Sequence, residues 1–98
     1  MKTKEEIIKT LQKNKDFIKQ KYGVKYLALF GSFARGEQTD NSDIDILVEF
    51  YKEKKTFDNY MDLKFYLESL FKRKVDLITK KAIKPRLKKY IDKDLIDV

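Results

Sequence analysis

Apolar residues recur at helical spacing along the first segment of the chain, with charged residues between them. The pattern predicts an amphipathic helix from Lys4 to about Tyr22. Thr3 ahead of this segment and Gly23 behind it are typical of a helix start and a helix stop. The positions on its apolar side are Ile7, Ile8, Leu11 and Ile18.

Shorter runs carry the apolar, β-branched and aromatic residues that favour strands. The predicted strands are Val24–Phe30, Asp43–Phe50 and Val75–Ile78. The further predicted helices are a single turn over Ser32–Arg35, a helix over Phe57–Phe71, and a terminal helix from Ala82 with Pro85 in its first turn. The last five residues are predicted as either a short strand or a frayed end.

Strands that alternate with helices predict an α/β (α+β) fold in which helices pack on a small mixed sheet. A long helix separates the second and third strands, which suits a parallel crossover pair, whereas the link between the first two is short. A chain of 98 residues has room for one core. Residues 1–98 are therefore predicted to form a single domain.

The chain contains no histidine and no cysteine. This excludes a Ser-His-Asp triad, a cysteine nucleophile and a zinc site built from thiolates or imidazoles. Catalysis would have to use carboxylates, hydroxyls, lysines, arginines or an oxygen-bound ion such as Mg²⁺. No apolar run approaches the ~20 residues that cross a bilayer, and the first residues lack a signal-peptide pattern, so we expect a cytoplasmic protein without a membrane partner.

The formal net charge of +7 invites a nucleic-acid interpretation, but only three of the 23 cationic residues are arginine. Arginine is the residue that base-edge and bidentate phosphate recognition favour. The lysines are spread along the whole sequence, so direct nucleic-acid binding is not predicted. They favour a solvated surface, or one that attracts an anionic partner or a nucleoside triphosphate.

Three aspartates occupy predicted strands. Asp43 and Asp45 are two positions apart, which places both side chains on one face of a strand, opposite the apolar residues between them. Asp76 lies in another short apolar strand, where we expect a carboxylate to be strongly desolvated. A shared divalent cation would offset both the repulsion and the desolvation. A solvated strand edge, with Asp76 paired to a lysine, is the other interpretation that these residues allow.

A glycine-serine turn precedes the paired aspartates. Gly31 lets the backbone approach a ligand closely, and the N–H groups of the turn, the Ser32 hydroxyl and Arg35 could together bind phosphate. For the turn alone, an ordinary corner with Ser32 as a helix cap is the better interpretation. The spacing favours the phosphate site, because ten residues separate Ser32 from Asp43.

The segments GSFARG (31–36), NSDIDILV (41–48) and VDLI (75–78) together resemble the nucleotidyltransferases of the DNA polymerase β superfamily. They resemble in particular the minimal nucleotidyltransferases (MNT), the antitoxin partners of HEPN-domain toxins. The likeness covers nearly the whole chain and shows no departure in these segments. It implies the nucleotidyltransferase fold, with ATP as the nucleotide donor held at Gly31, Ser32 and Arg35.

The same resemblance implies roles for the carboxylates. Asp43 and Asp45 would bind two Mg²⁺ ions, and Asp76 would complete the metal site and act as general base for the attacking hydroxyl. In MNT–HEPN pairs the enzyme is similar to a protein adenylyltransferase, which moves AMP from ATP to a tyrosine of the toxin and silences its RNase activity.

Two other functions remain open for the sequence: transfer of a nucleotide to a small molecule, and neutralisation of a partner by contact alone. The aromatic residues of Phe57–Phe71 and the terminal helix supply more apolar surface than a small sheet covers. We therefore expect part of this surface to meet the partner or a second copy of the chain, giving a hetero-oligomer or a homodimer. Simple packing in the core is at least as good an interpretation for most of these residues.

Overall fold

The computed structural model describes residues 3–98, and Met1 and Lys2 lie outside the described part. Within this range the helices are α1 (Lys4–Tyr22), α2 (Gly31–Arg35), α3 (Phe57–Phe71) and α4 (Pro85–Asp94). The strands are β1 (Val24–Phe30), β2 (Ile44–Phe50), β3 (Val75–Thr79) and β4 (Ile96–Asp97). Short 3₁₀ turns cover Lys52–Lys54 and Lys80–Ala82. The predicted order of helices and strands is confirmed.

The strands form one mixed sheet in the order β3-β2-β1-β4. β1 runs antiparallel to β2 and to β4, while β2 and β3 are parallel. The predicted mixed sheet and the parallel pair are confirmed, and the C-terminal tail is a strand. Because β1 runs opposite to its neighbour, its carboxyl end lies beside the amino ends of β2 and β3.

Side chains alternate between the two faces of the sheet, and both faces carry apolar residues. The two faces differ in how many of these side chains are buried. One face packs under α1 and α3 and holds most of the buried side chains, among them Leu29, Ile46 and Leu77. The other face is a smaller cluster of Ala28, Phe30 and Leu47, partly covered by residues of the C-terminal segment. No side chain of α4 is fully buried. This second face is therefore thinly covered.

The residues predicted to start and stop α1 do so in the structure, whereas the predicted start of the last helix differs. The Thr3 hydroxyl accepts a hydrogen bond from the Glu6 N–H at 3.2 Å, and Gly23 ends α1 in the left-handed conformation. The predicted start of the last helix at Ala82 was wrong. α4 begins at Pro85, which occupies the first helical turn, because proline lacks the N–H that a residue further along a helix must donate.

The predicted surplus of apolar surface is correct for some side chains and wrong for others. Phe71 is buried in the core, whereas Phe65 is 58% exposed on α3. On α4, Leu87 is 45% and Tyr90 is 61% exposed. Along residues 3–98, no helix has the length and apolar content that spanning a bilayer requires.

Candidate functional site

The amino ends of β2 and β3 bring two of the predicted aspartates side by side. Asp45 pairs in register with Asp76 on one side and with Phe30 on the other. Asp43 immediately precedes β2, one residue outside the strand in which it was predicted. The intervening Ile44 is fully buried, so the chain turns the aspartates to the opposite face, as the alternation predicted.

The three carboxylates differ in their exposure to water. Asp45 is half-buried, whereas Asp43 and Asp76 are exposed. The expectation that Asp76 is strongly desolvated was wrong, because β3 is an edge strand and Asp45 lies on the interior strand β2. Burial first, and then the charges of Asp76 and Asp43, raise the pKa of the Asp45 carboxyl to about 6. The charges of the three carboxylates therefore repel one another, and a bound cation would reduce that repulsion.

Gly31 lies against Asp45 at the junction of β1 and α2. Its φ is +77°, and a Cβ atom there would stand only 2.1 Å from Asp45 Oδ2. A side chain at this position would therefore occupy the space that the carboxylate needs, besides straining the backbone. No side chain caps the N-terminus of α2, a helix of five residues, so its first N–H groups are the donors available to an anion there. The structure thus places the glycine turn directly against one of the three aspartates.

Arg73 fixes the loop that carries Asp43, a role that the sequence did not suggest. Its Nη1 donates to the carbonyl oxygens of Asp40 and Ser42, both at 2.9 Å. The guanidinium carbon also lies 5.5 Å from the centre of the Phe33 ring in α2. Arg73 thus joins the glycine turn, the Asp43 loop and the turn before β3. Its position just ahead of the third predicted strand was the only signal available.

Ser42 stabilises the same loop from within. Its hydroxyl accepts a hydrogen bond from the Thr39 N–H at 2.9 Å, and its own N–H donates to the Thr39 carbonyl at 3.1 Å. A cleft of about 320 Å³ opens beside this loop, lined by residues 40–43 together with Arg73 and Lys74. Asp43 therefore lies at the wall of a recess with room for a ligand.

Arg35 takes part in two ion pairs rather than projecting freely towards the turn. Its Nε lies 2.7 Å from Glu37 Oε1, and its Nη1 lies 2.6 Å from Asp94 Oδ2 of α4. The Arg35 charge still lowers the pKa of Asp45, although burial outweighs it. Arg35 is therefore close enough to influence the cluster electrostatically, and in this structure it connects α2 to α4.

The donor set fits Mg²⁺ in its chemistry and only partly in its arrangement. Within residues 3–98, no three acidic side chains are already placed to hold a metal ion together. Mg²⁺ is nevertheless commonly bound through one or two carboxylates, with water and substrate phosphates supplying its other ligands. Asp45, with its raised pKa beside two other carboxylates, is the group that gains most from a cation.

A family comparison agrees with this arrangement. Residues 11–98 match the model of the nucleotidyltransferase domain family. A Methanocaldococcus jannaschii protein named "putative protein adenylyltransferase" is 55% identical over 100 residues, covering 100% of both chains. The protein adenylyltransferase MntA of Thermococcus cleftensis is 36% identical, covering 100% of this chain and 98% of its own.

Solved structures show the same fold. One described as a "putative minimal nucleotidyltransferase" superposes with a TM-score of 0.84 at 28% identity, covering 99% of this chain and 97% of that chain. A chain from a toxin-antitoxin crystal structure with AMP-PNP superposes with a TM-score of 0.67 at 26% identity, covering 96% of this chain and 70% of the other. The chain therefore belongs to the nucleotidyltransferase domain family, as an enzyme of the minimal nucleotidyltransferase type.

Proposed function

We propose that this enzyme is the antitoxin of a toxin-antitoxin pair, and that it transfers AMP from ATP to a tyrosine of a cognate HEPN-domain RNase. The observation that supports this most directly is the register pair of Asp45 and Asp76 beside Gly31. Relatives named protein adenylyltransferases support the acceptor class, and a toxin-antitoxin structure with AMP-PNP supports the partner and the nucleotide.

The glycine turn is the proposed binding site for the triphosphate. Gly31 leaves the backbone of the turn open where a Cβ would meet Asp45, and N–H groups at the start of α2 can donate to phosphate oxygens. Ser32 is half-buried next to it and can add its hydroxyl. Arg35 reaches the phosphates in this scheme by exchanging its present carboxylate partners for phosphate oxygens, which form comparable charge-assisted hydrogen bonds.

The proposed reaction is an in-line displacement at the α-phosphorus of ATP. The tyrosine oxygen of the acceptor forms a bond to that phosphorus, and the bond to the β-phosphate bridging oxygen breaks, so that pyrophosphate leaves. Asp76 accepts the proton of the tyrosine hydroxyl. Its exposure on the edge strand β3 leaves it accessible to a side chain that arrives on another protein.

Asp43, Asp45 and Asp76 are the residues that would hold Mg²⁺. The bound ions would neutralise phosphate charge and assist the departure of pyrophosphate. The chain itself contributes the positioning. The interior strand β2 fixes Asp45, and Arg73 and Ser42 hold the loop that carries Asp43.

The exposed apolar residues of α4 are the proposed contact with the toxin. Leu87 and Tyr90 lie on α4, whose Asp94 pairs with Arg35 beside the glycine turn, so a partner seated along this helix would lie close to the site. This arrangement favours a protein acceptor over a small molecule, because Asp76 is exposed at the sheet edge beside an apolar helix surface that a protein could cover.

The decisive experiment incubates the enzyme with labelled ATP, Mg²⁺ and the proposed HEPN-domain partner. We expect label on a tyrosine of the partner and loss of its RNase activity. Asp45→Asn should abolish the labelling, whereas Asp16→Asn, which removes the same charge from the exposed surface of α1, should leave it intact.

Each alternative has a distinct outcome in this experiment. Neutralisation of the RNase by Asp45→Asn in the absence of ATP would replace the proposed transfer by contact alone. Absence of label on the partner, with label transferred to a small molecule instead, would overturn the protein acceptor.

A further inference from the structure

The fold gathers lysines that are far apart in the sequence around one cleft at the opposite end of the sheet. This cleft, of about 540 Å³, lies where β2 and β3 end and β1 begins. We call it the lysine cleft. Its cationic lining residues are Lys25, Lys52, Lys55, Lys80 and Lys81.

The positive charge of the lysine cleft is only partly offset by its own side chains. Two carboxylates, Glu49 and Glu53, also line it. Among the ion pairs formed within residues 3–98, however, none involves a lysine of the cleft. Like charges this close repel one another, so an anion entering the cleft would be stabilised by several ammonium groups at once.

Two of these lysines act on each other through their charges. Lys55 and Lys81 both line the cleft. Burial first, and then the charge of Lys81, lower the pKa of Lys55. Lys80 is held nearby, with its Nζ 4.9 Å from the centre of the Tyr26 ring. The two lysines repel each other, and an anion that entered the cleft between them would relieve that repulsion.

Part of the cleft wall is apolar and aromatic. Val48 and Phe50 form part of the wall from β2, and Tyr51 stands beside them with 53% of its surface exposed. A volume of this size is in the range of sites that bind small organic ligands, about 300–1,000 Å³. A ligand with phosphates at one end and a flat ring at the other would match both parts of the wall, since an exposed tyrosine ring can stack on such a group.

We propose that the lysine cleft is a second binding site, and that its ligand is a nucleoside polyphosphate. Lys55 and Lys81 bind the phosphates as point charges, and Tyr51 stacks on the base. The ligand is bound without being consumed, because the proposed catalytic aspartates lie at the other end of the sheet. Five positions of β2 separate Asp45 from Phe50, which corresponds to about 17 Å along a strand.

The test measures binding of ATP to the full chain by calorimetry in the presence of EDTA, which suppresses metal-dependent binding. The variant is Lys55→Gln with Lys81→Gln. The matched control is Lys9→Gln with Lys13→Gln, which removes the same charge from the exposed side of α1. We expect ATP to bind the lysine-cleft variant at least tenfold more weakly than the parent, and the control variant to stay within twofold of it.

A second arm tests the base contact with inorganic tripolyphosphate as the probe. We expect the parent to bind ATP more tightly than tripolyphosphate, and Tyr51→Ala to remove that preference. Equal weakening of ATP binding by the lysine-cleft and control variants would overturn the site, because only the overall charge would then matter. Equal affinity of the parent for both probes would overturn the assignment of a nucleoside ligand.

Discussion

Asp45 and Asp76 are direct register partners on parallel strands, yet only Asp45 is shielded from water. Asp45 lies on β2 with a strand on each side, whereas β3 has a neighbour on one side only. One carboxylate is therefore a fixed, partly desolvated group and the other an accessible one. This difference suits the proposed division between a group that holds a cation and a group that meets the acceptor.

The first prediction concerns the pH dependence of stability without metal. Because burial and the neighbouring carboxylates raise the pKa of Asp45 to about 6 in the folded protein, this group favours folding while it is protonated. That stabilisation is lost as the pH rises from about 4 through about 6. Replacing Asp45 by Asn should make the metal-free protein more stable than the parent near neutral pH, by about 1 kcal/mol, since water screens the charge of a half-buried carboxylate.

Denaturant titrations in EDTA at several pH values measure this effect, and the difference should vanish near pH 4. Asp16→Asn on the exposed surface of α1 is the control and should show no such trend. If Asp45→Asn were less stable than the parent at neutral pH, the repulsion assigned to this cluster would be wrong.

The second prediction uses two glycines that share a backbone conformation. Gly31 and Gly36 have φ values of +77° and +72°, but a Cβ at Gly31 would meet Asp45 whereas one at Gly36 would meet nothing within 4 Å. Gly36→Ala should therefore cost about 1 kcal/mol from backbone strain alone. Gly31→Ala should cost about 1–3 kcal/mol more, because it overpacks the site.

Activity separates the two variants further. We expect Gly31→Ala to lose more than tenfold in kcat/KM, since Asp45 must move, and Gly36→Ala to stay within a few fold of the parent. Equal losses of stability and activity in both variants would show that the close approach of Gly31 to Asp45 has no role.

The third prediction concerns Arg73 as a positioning residue. Arg73→Met removes two hydrogen bonds to the loop that carries Asp43 and the contact with Phe33. We expect kcat to fall about tenfold and the Mg²⁺ concentration for half-maximal activity to rise, because hydrogen bonds from a charged group are worth about 1.5–3 kcal/mol each. Excess Mg²⁺ should restore part of the activity.

Lys9→Met is the control, since it removes the same charge from the exposed surface of α1. A loss of stability in Arg73→Met with an unchanged Mg²⁺ requirement would reduce Arg73 to a purely structural role.

The fourth prediction tests whether Arg35 serves the nucleotide. Asp94→Asn removes one of its two carboxylate partners. If Arg35 binds the triphosphate, KM for ATP should fall several fold in this variant and rise in Arg35→Met. Stability should change little, because exposed ion pairs contribute about 0–1 kcal/mol. Unchanged KM in both variants would leave Arg35 only as the link between α2 and α4.

Local patterns in the sequence predicted much of this fold because their causes are local. The bounds of α1, β1 and α3 follow from helical spacing, β-forming runs and turn glycines, and all three agree with the structure. The errors come from properties that depend on distant residues. The exposure of Asp76 is set by the position of β3 at the sheet edge, which no pattern within VDLI records.

Dependence on distant residues also explains why the clustering of lysines was not predicted from the sequence. Its lysines look dispersed because the residues of the lysine cleft come from β1, the turn after β2 and the turn after β3. Arg73 was overlooked for a similar reason, since the carbonyl groups that it contacts belong to a loop about thirty residues earlier, 33 and 31 positions away. Clusters that form only through the topology of the sheet need the structure to be seen.

The position of β3 at the sheet edge has a consequence for solubility. An edge strand exposes backbone groups that can pair with a strand of another molecule, and a charged residue within it discourages that pairing. Asp76 is the only charged residue between Val75 and Thr79, so the carboxylate proposed as the base also protects the strand from aggregation. Variants that neutralise Asp76 should therefore precipitate more readily than those that neutralise Asp43, and their activity is best measured on the monomeric fraction.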